Sequence, residues 1–369
     1  MLKFFFRLQI LLLTVSFSAF AQEADQYVRI SDYLLEKPEQ KTIMQQFSRI
    51  VREQAIPYSG PQDNKAKVAI IYPGDQASDY WRRSVIALEK RMTELQVPFE
   101  TRIFFSRPSV DLSLQSQQLN EAIAWQPDYL IYTLDALRHQ AMIERILLRG
   151  KPKLILQNIT TPLRHWLHQR PFLYTGFDHE TGTKLLAQEM LKLKPEAKYG
   201  MLYFTPGYVS VMRGDTFVTA ASEQSSLTQL GSYYTKGDRN MAYKATQAAL
   251  RDNSDLDMLF SCSTDISLGA IDALKEYGKL DQVLLNGWGG GQAEIDALIK
   301  GELDLTVMRM NDDSSVAIAE AIKLDLQGQN HKVPHIYSGD IVLIDKSLDQ
   351  NELNELKERA FRYSGQGLK

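Results

Sequence analysis

From Lys67 onward, short apolar runs alternate with amphipathic stretches, and this alternation constrains the fold more than any other feature of the chain. Residues 68–72, 100–105, 129–132 and 154–157 read as strands. Residues 80–94, 112–124 and 136–148 lie between them, with apolar side chains at helical spacing. A second series begins near Leu173 and continues with strands at 199–204, 230–234, 258–261 and 283–285. Its helical stretches are 184–193, 211–222, 243–250 and 267–276. Alternation at this spacing predicts α/β architecture, with parallel sheets covered by helices on both faces. Two such series predict two similar Rossmann-like lobes.

The last part of the chain adds a strand at 303–308, a helix at 314–327, a strand at 341–344 and a helix at 352–359. A chain that changed lobes once would simply end in the second lobe. The extra units suit a chain that crosses repeatedly, which makes a multi-strand hinge and leaves a cleft between the lobes for a ligand. The expected division is an N-terminal extension at 22–65, an N-terminal lobe at 66–173 plus 310–337, and a C-terminal lobe and tail at 174–309 plus 338–369. Pro57-Tyr-Ser-Gly-Pro61 ends the extension as a linker.

Residues 1–21 read as a secretory signal. Lys3 and Arg7 precede an apolar run, and Ala19-Phe-Ala21 fits a small-x-small cleavage site. The expected location is the periplasm. The formal charge of −3 becomes −3 − 2 = −5 once Lys3 and Arg7 are removed, since residues 1–21 hold no acid. A mildly acidic surface argues against nucleic acid and against an anionic membrane surface as partners. A single cysteine, Cys262, excludes an intramolecular disulfide, so the 369 − 21 = 348 remaining residues must hold together by their cores. Cys262 itself reads as a small buried hydrophobe, because no histidine lies near it in sequence.

In open α/β sheets ligands bind beyond the carboxyl ends of the strands. The residues just past each expected strand share one chemistry. Gln76, Ser78 and Trp81 follow the first strand; Thr133 and Asp135 follow the third; Asn158 follows the fourth. In the second series come Arg213, then Ser263-Thr264-Asp265, then Trp288, then Arg309. Amides and hydroxyls both donate and accept, as a diol does, and indole faces cover an apolar ring surface. Two arginines in an enclosed cleft need negative charge nearby; Asp265 is a candidate for one, and the other points to a ligand with charge or strongly polarised oxygens. Ser78 and Thr264 also fit the alternative of helix caps. Residues 286–291, Asn-Gly-Trp-Gly-Gly-Gly, stand out: the glycines let backbone or ligand approach Trp288 closely.

Catalytic patterns are poor. His165 and His168 lack a third ligand for a metal, no Gly-x-Ser-x-Gly signals a nucleophile elbow, and Gly289–Gly291 lacks the Lys-Ser/Thr of a phosphate loop. Asn158-Ile-Thr160 matches a glycosylation sequon, though its strand-end position favours a ligand contact. The sequence therefore predicts a binding protein, not an enzyme, with no metal and no cofactor.

Several longer motifs carry a resemblance. They are Tyr72-Pro-Gly, Ser78-Asp-Tyr-Trp81, Thr133-Leu-Asp135, Leu156-Gln-Asn-Ile-Thr-Thr-Pro162, Arg213-Gly-Asp-Thr-Phe217, Cys262-Ser-Thr-Asp265, the 286–291 run and Thr306-Val-Met-Arg-Met-Asn-Asp-Asp313. Through them the chain resembles the type I periplasmic binding proteins, and among these the receptors for the quorum-sensing signal autoinducer-2. The resemblance implies a furanosyl borate diester as ligand, with borate entering as part of it. It implies that Arg213 and Arg309 pair with the borate oxygens. Gln76, Ser78, Asn158, Thr264 and Asp265 would hold the hydroxyls and ring oxygen, and Trp81 and Trp288 would pack on the ligand. It also implies a partner, the periplasmic domain of a membrane sensor histidine kinase of a two-component system. The alternative reading is a periplasmic sugar-binding protein of a membrane transporter.

Overall fold

The computed structural model describes residues 26–134, 137–224 and 226–365. The expected signal segment and Asp135 lie outside them. In chain order the strands are β1 (Ala66–Tyr72), β2 (Phe99–Phe105), β3 (Tyr129–Tyr132), β4 (Lys153–Gln157), β5 (Leu173–Phe177), β6 (Lys198–Tyr203), β7 (Thr228–Tyr234), β8 (Met258–Ser261), β9 (Leu284–Leu285), β10 (Leu305–Arg309), β11 (Ile336–Gly339) and β12 (Ile341–Asp345). The first lobe's sheet has the order β11-β5-β4-β3-β1-β2 and is parallel throughout. The second has the order β7-β6-β8-β9, also parallel. Single bridges at Asn286–Leu305 and Gly289–Met308 continue it to β10, and β12 closes the edge antiparallel to β10.

Inner strands such as β1 and β8 are apolar at almost every position because helices cover both faces. The edge strands β2 and β7 are mostly half-exposed or exposed. The helices are α1 (Ile30–Glu36), α2 (Glu39–Arg52), α3 (Tyr80–Glu94), α4 (Leu112–Ala124), α5 (Leu137–Arg149), α6 (His179–Leu193), α7 (Thr216–Ser222), α8 (Arg239–Asp252), α9 (Thr264–Glu276), α10 (Gln292–Ile299), α11 (Asp313–Leu326) and α12 (Gln350–Ala360). Where the sequence predicts one helix over 211–222, a π-helical turn over Ser210–Asp215 precedes α7. The strand β11 was not foreseen; it pairs with β5 and completes the first sheet.

The chain passes between the sheets three times: after β5, after β10, and between β11 and β12. Phe47 and Val51 of α2 are buried in the core that contains β1 and α11. The C-terminal tail straps back on the first lobe, with the Phe361 ring 3.9 Å from the Arg83 guanidinium carbon. The fold is thus a two-lobed α/β protein with a hinge of several crossings, and the carboxyl ends of both parallel sheets meet at the cleft.

Candidate functional site

At the floor of the cleft, residues 286–291 leave β9 and run beside β10. Gly290 has φ +64°, and a Cβ there would lie 2.4 Å from the Met308 Cα, so only glycine fits this close approach. The turn is held by Glu294, fully buried at the start of α10. Its carboxylate accepts from the Trp288 N–H at 3.0 Å, the Gly290 N–H at 2.8 Å and the Thr306 hydroxyl at 2.6 Å. Asn286 accepts from the Ser261 N–H and donates to the Ser261 carbonyl, each at 2.9 Å, which ties this loop to the end of β8. Trp288 is buried, and its indole N–H donates to the Thr183 hydroxyl at 3.0 Å.

Arg213 stands on the π-helical turn, with its guanidinium carbon 3.5 Å from the Trp288 ring centre. Trp288 is thus a platform for Arg213 as well as a wall of the cavity. Arg213 donates to the Cys262 carbonyl at 2.7 Å and to His179 Nδ1 at 3.3 Å. Arg309, at the end of β10, packs 4.0 Å from the Tyr80 ring centre and donates to the Gly289 carbonyl at 3.4 Å. Both arginines are buried, and among the described residues no carboxylate forms an ion pair with either. Burial, then the neighbouring Arg309, pushes the Arg213 pKa down to about 9; burial also lowers that of Arg309. Glu294 offsets part of this strain through space.

His179, which the strand-end pattern missed, joins the two lobes here. Its Nε2 lies 3.2 Å from Asn158 Oδ1, and its ring lies 4.8 Å from Trp288 and 5.0 Å from Tyr208. A neutral ring with its hydrogen on Nε2 satisfies both Asn158 and Arg213. Burial, then Arg213 and Arg309, holds its pKa well below the ordinary range. Only its place as the first residue of a helix after a strand could have flagged it.

A cavity of about 50 Å³ lies among these groups. It is lined by Gln76, Ser78, Trp81, Asn158, Arg213, Thr264, Trp288 and Arg309 of the expected set, together with Tyr80, Ser263 and Phe204. The Ser263 hydroxyl is buried and has no hydrogen-bond partner among the described residues. Neither Ser78 nor Thr264 caps a helix: Asp79 and Ser263 hold the N-cap positions of α3 and α9, without side-chain caps. Of the expected residues that are described, two are not in the lining. Thr133 is buried just past β3. Asp265 turns away from the cavity and accepts from the Ala77 and Ser78 N–H groups of the other lobe at 2.8 and 3.1 Å. It therefore neutralises neither arginine by direct pairing. Cys262 is buried, which pushes its thiol up to about 12. His165 lies at the surface, 3.1 Å from Glu144. Among the described residues no group of three His, Cys, Asp or Glu side chains is arranged for a metal, and no helix is long and apolar enough to cross a membrane.

The sequence model of the periplasmic binding protein domain matches residues 68–330, and the chain belongs to that family. Solved structures share the fold. A solute-binding protein of an ABC transporter from Agrobacterium vitis, with bound D-fucose, is 17% identical; the match covers 78% of this chain and 99% of that one, with a TM-score of 0.70. One from Actinobacillus succinogenes 130z, with bound D-allose, is 17% identical, covers 78% and 100%, and has a TM-score of 0.67. One from Bacillus halodurans C-125, with bound myo-inositol, is 19% identical, covers 82% and 100%, and also has a TM-score of 0.67. These findings correct the finer expectation drawn from the motifs. The similar structures are sugar- and polyol-binding proteins of transporters, so the autoinducer-2 receptor function, the borate and the sensor histidine kinase partner are set aside. The motifs behind that expectation sit mostly at strand ends and glycine turns.

Proposed function

We propose that this protein is the periplasmic binding component of a membrane transporter, and that it takes a small cyclic sugar or polyol bearing an acidic group. The division into an N-terminal extension, two lobes and a signal segment belongs to this reading. The observation that carries it is the pair of buried guanidiniums, Arg213 and Arg309, which line one cavity with no paired carboxylate among the described residues. Buried cations without counter-charge are costly, and an anionic ligand relieves the cost that burial and mutual repulsion impose. Charge-assisted bonds from a planar guanidinium also fix the orientation of a ligand's oxygens. The remaining lining is suited to a polyol: Gln76 and Asn158 offer amides, Ser78, Ser263 and Thr264 offer hydroxyls, and Trp81 and Trp288 offer ring faces. Gln76, Ser78 and Asn158 come from the first lobe and the arginines from the second, so the ligand bridges the lobes and binds the closed form better than the open one.

The kinships with D-fucose-, D-allose- and myo-inositol-binding proteins support the sugar class; the arginines set the charge. Isothermal titration of the full chain with D-galactose, D-fucose and myo-inositol against D-galacturonate and ribose 5-phosphate tests this. We expect an acidic compound to bind about 100-fold more tightly than its neutral counterpart. Equal affinity for galactose and galacturonate, with neutral sugars the best ligands, would overturn the charge argument.

A further inference from the structure

Asp265 lies on α9 of the second lobe, yet both its carboxylate oxygens are spent on the first. Oδ1 accepts from the Ala77 N–H at 2.8 Å and Oδ2 from the Ser78 N–H at 3.1 Å. It is buried and outside the cavity lining, so these bonds run from protein to protein and need no ligand atom. A second carboxylate crosses the cleft in the opposite sense. Asp79 of the first lobe accepts from the Gln292 N–H, at the amino end of α10, at 3.4 Å, and holds Arg83 at 2.6 Å. Gly291 allows this approach, because a Cβ there would lie 2.4 Å from Asp79 Oδ1. Both clasps grip one segment, residues 76–79, whose Gln76 and Ser78 line the cavity.

We propose that Asp265 and Asp79 form a latch between the lobes that closes the cleft without ligand, with Asp265 the stronger clasp. A carboxylate accepting two backbone N–H groups is a charge-assisted pair of bonds, and the hinge swing that opens the cleft would break both together. The latch raises affinity by keeping the binding-competent form populated, since apparent affinity scales with that fraction. It also fixes Ser78 in place before the ligand arrives. The proposal concerns the lobes and does not depend on which ligand the cleft takes.

Spin labels on Ser113→Cys in α4 and Met241→Cys in α8, both exposed and on opposite lobes, report the opening. Cys262 is buried and out of reach of the label. The full chain is refolded from denaturant and dialysed until mass spectrometry finds no bound small molecule. Pulsed dipolar distances should then show one dominant short separation. In Asp265→Ala the closed-to-open ratio should fall at least about tenfold and a longer separation should dominate. Asp265→Asn keeps one acceptor oxygen but sets its amide against the second N–H, so it should fall between the two; it reads the latch even where the alanine variant folds poorly. Circular dichroism checks that each variant is folded. Identical distance distributions in the original chain, Asp265→Ala and Asp265→Asn would overturn the proposal, as would a dominant long separation in the original chain.

Discussion

Glu294 holds the floor of the site without lining the cavity itself. Three donors converge on its buried carboxylate, two of them backbone groups of the 286–291 turn. Removing it leaves those N–H groups buried without partners. Glu294→Ala should destabilise the fold by about 2–5 kcal/mol in denaturant titration and weaken ligand binding, because Trp288 and Gly290 lose their anchor. A stability within about 0.5 kcal/mol of the original would contradict the role given to it. In sequence Glu294 looks like any acid in the first turn of a surface helix. Its importance comes from a contact six residues back and a strand twelve residues on. Trp288, Arg213 and Arg309 were legible because strand ends in a parallel sheet converge. The true partners of Asp265 were not, since they lie 187 and 188 positions away in the other lobe.

Among the elements, the amphipathic alternation revealed most of the helices and strands, because parallel strands buried on both faces leave apolar runs that helices must cover. The π-helical turn over Ser210–Asp215 was not readable: its extra residue per turn leaves no mark in the spacing of apolar residues, yet it carries Arg213. The N-terminal helices offer a further test. The Tyr33 hydroxyl of α1 meets His335 Nδ1 at 2.5 Å, just before β11. Burial, then Arg170 and Lys37, pushes the His335 pKa down from 6.5 to about 4. The folded value is depressed, so the stabilising effect is full above pH 6.5 and is lost as pH falls from there toward 4. Thermal midpoints should drop across that window, and His335→Asn should make the drop shallower. His179, depressed in the same direction, leaves a residual slope. An unchanged slope in His335→Asn would show that this docking contact is not pH-sensitive.

For the whole molecule, three crossings between two parallel sheets give a hinge, and the hinge gives the cleft its function. The ligand does not have to organise the site from a random arrangement: Asp265 and Asp79 clasp the lobes, His179 links Asn158 to Arg213, and Glu294 fixes the floor. What remains unsatisfied is charge, on two arginines facing one small cavity. Native mass spectrometry of the small molecule carried by the protein when it is purified from its own cells, beside the same preparation of Arg309→Ala, tests this directly. A small polyhydroxylated anion is expected on the original chain, and its loss from a variant that is still folded. A neutral sugar retained equally by both would contradict it.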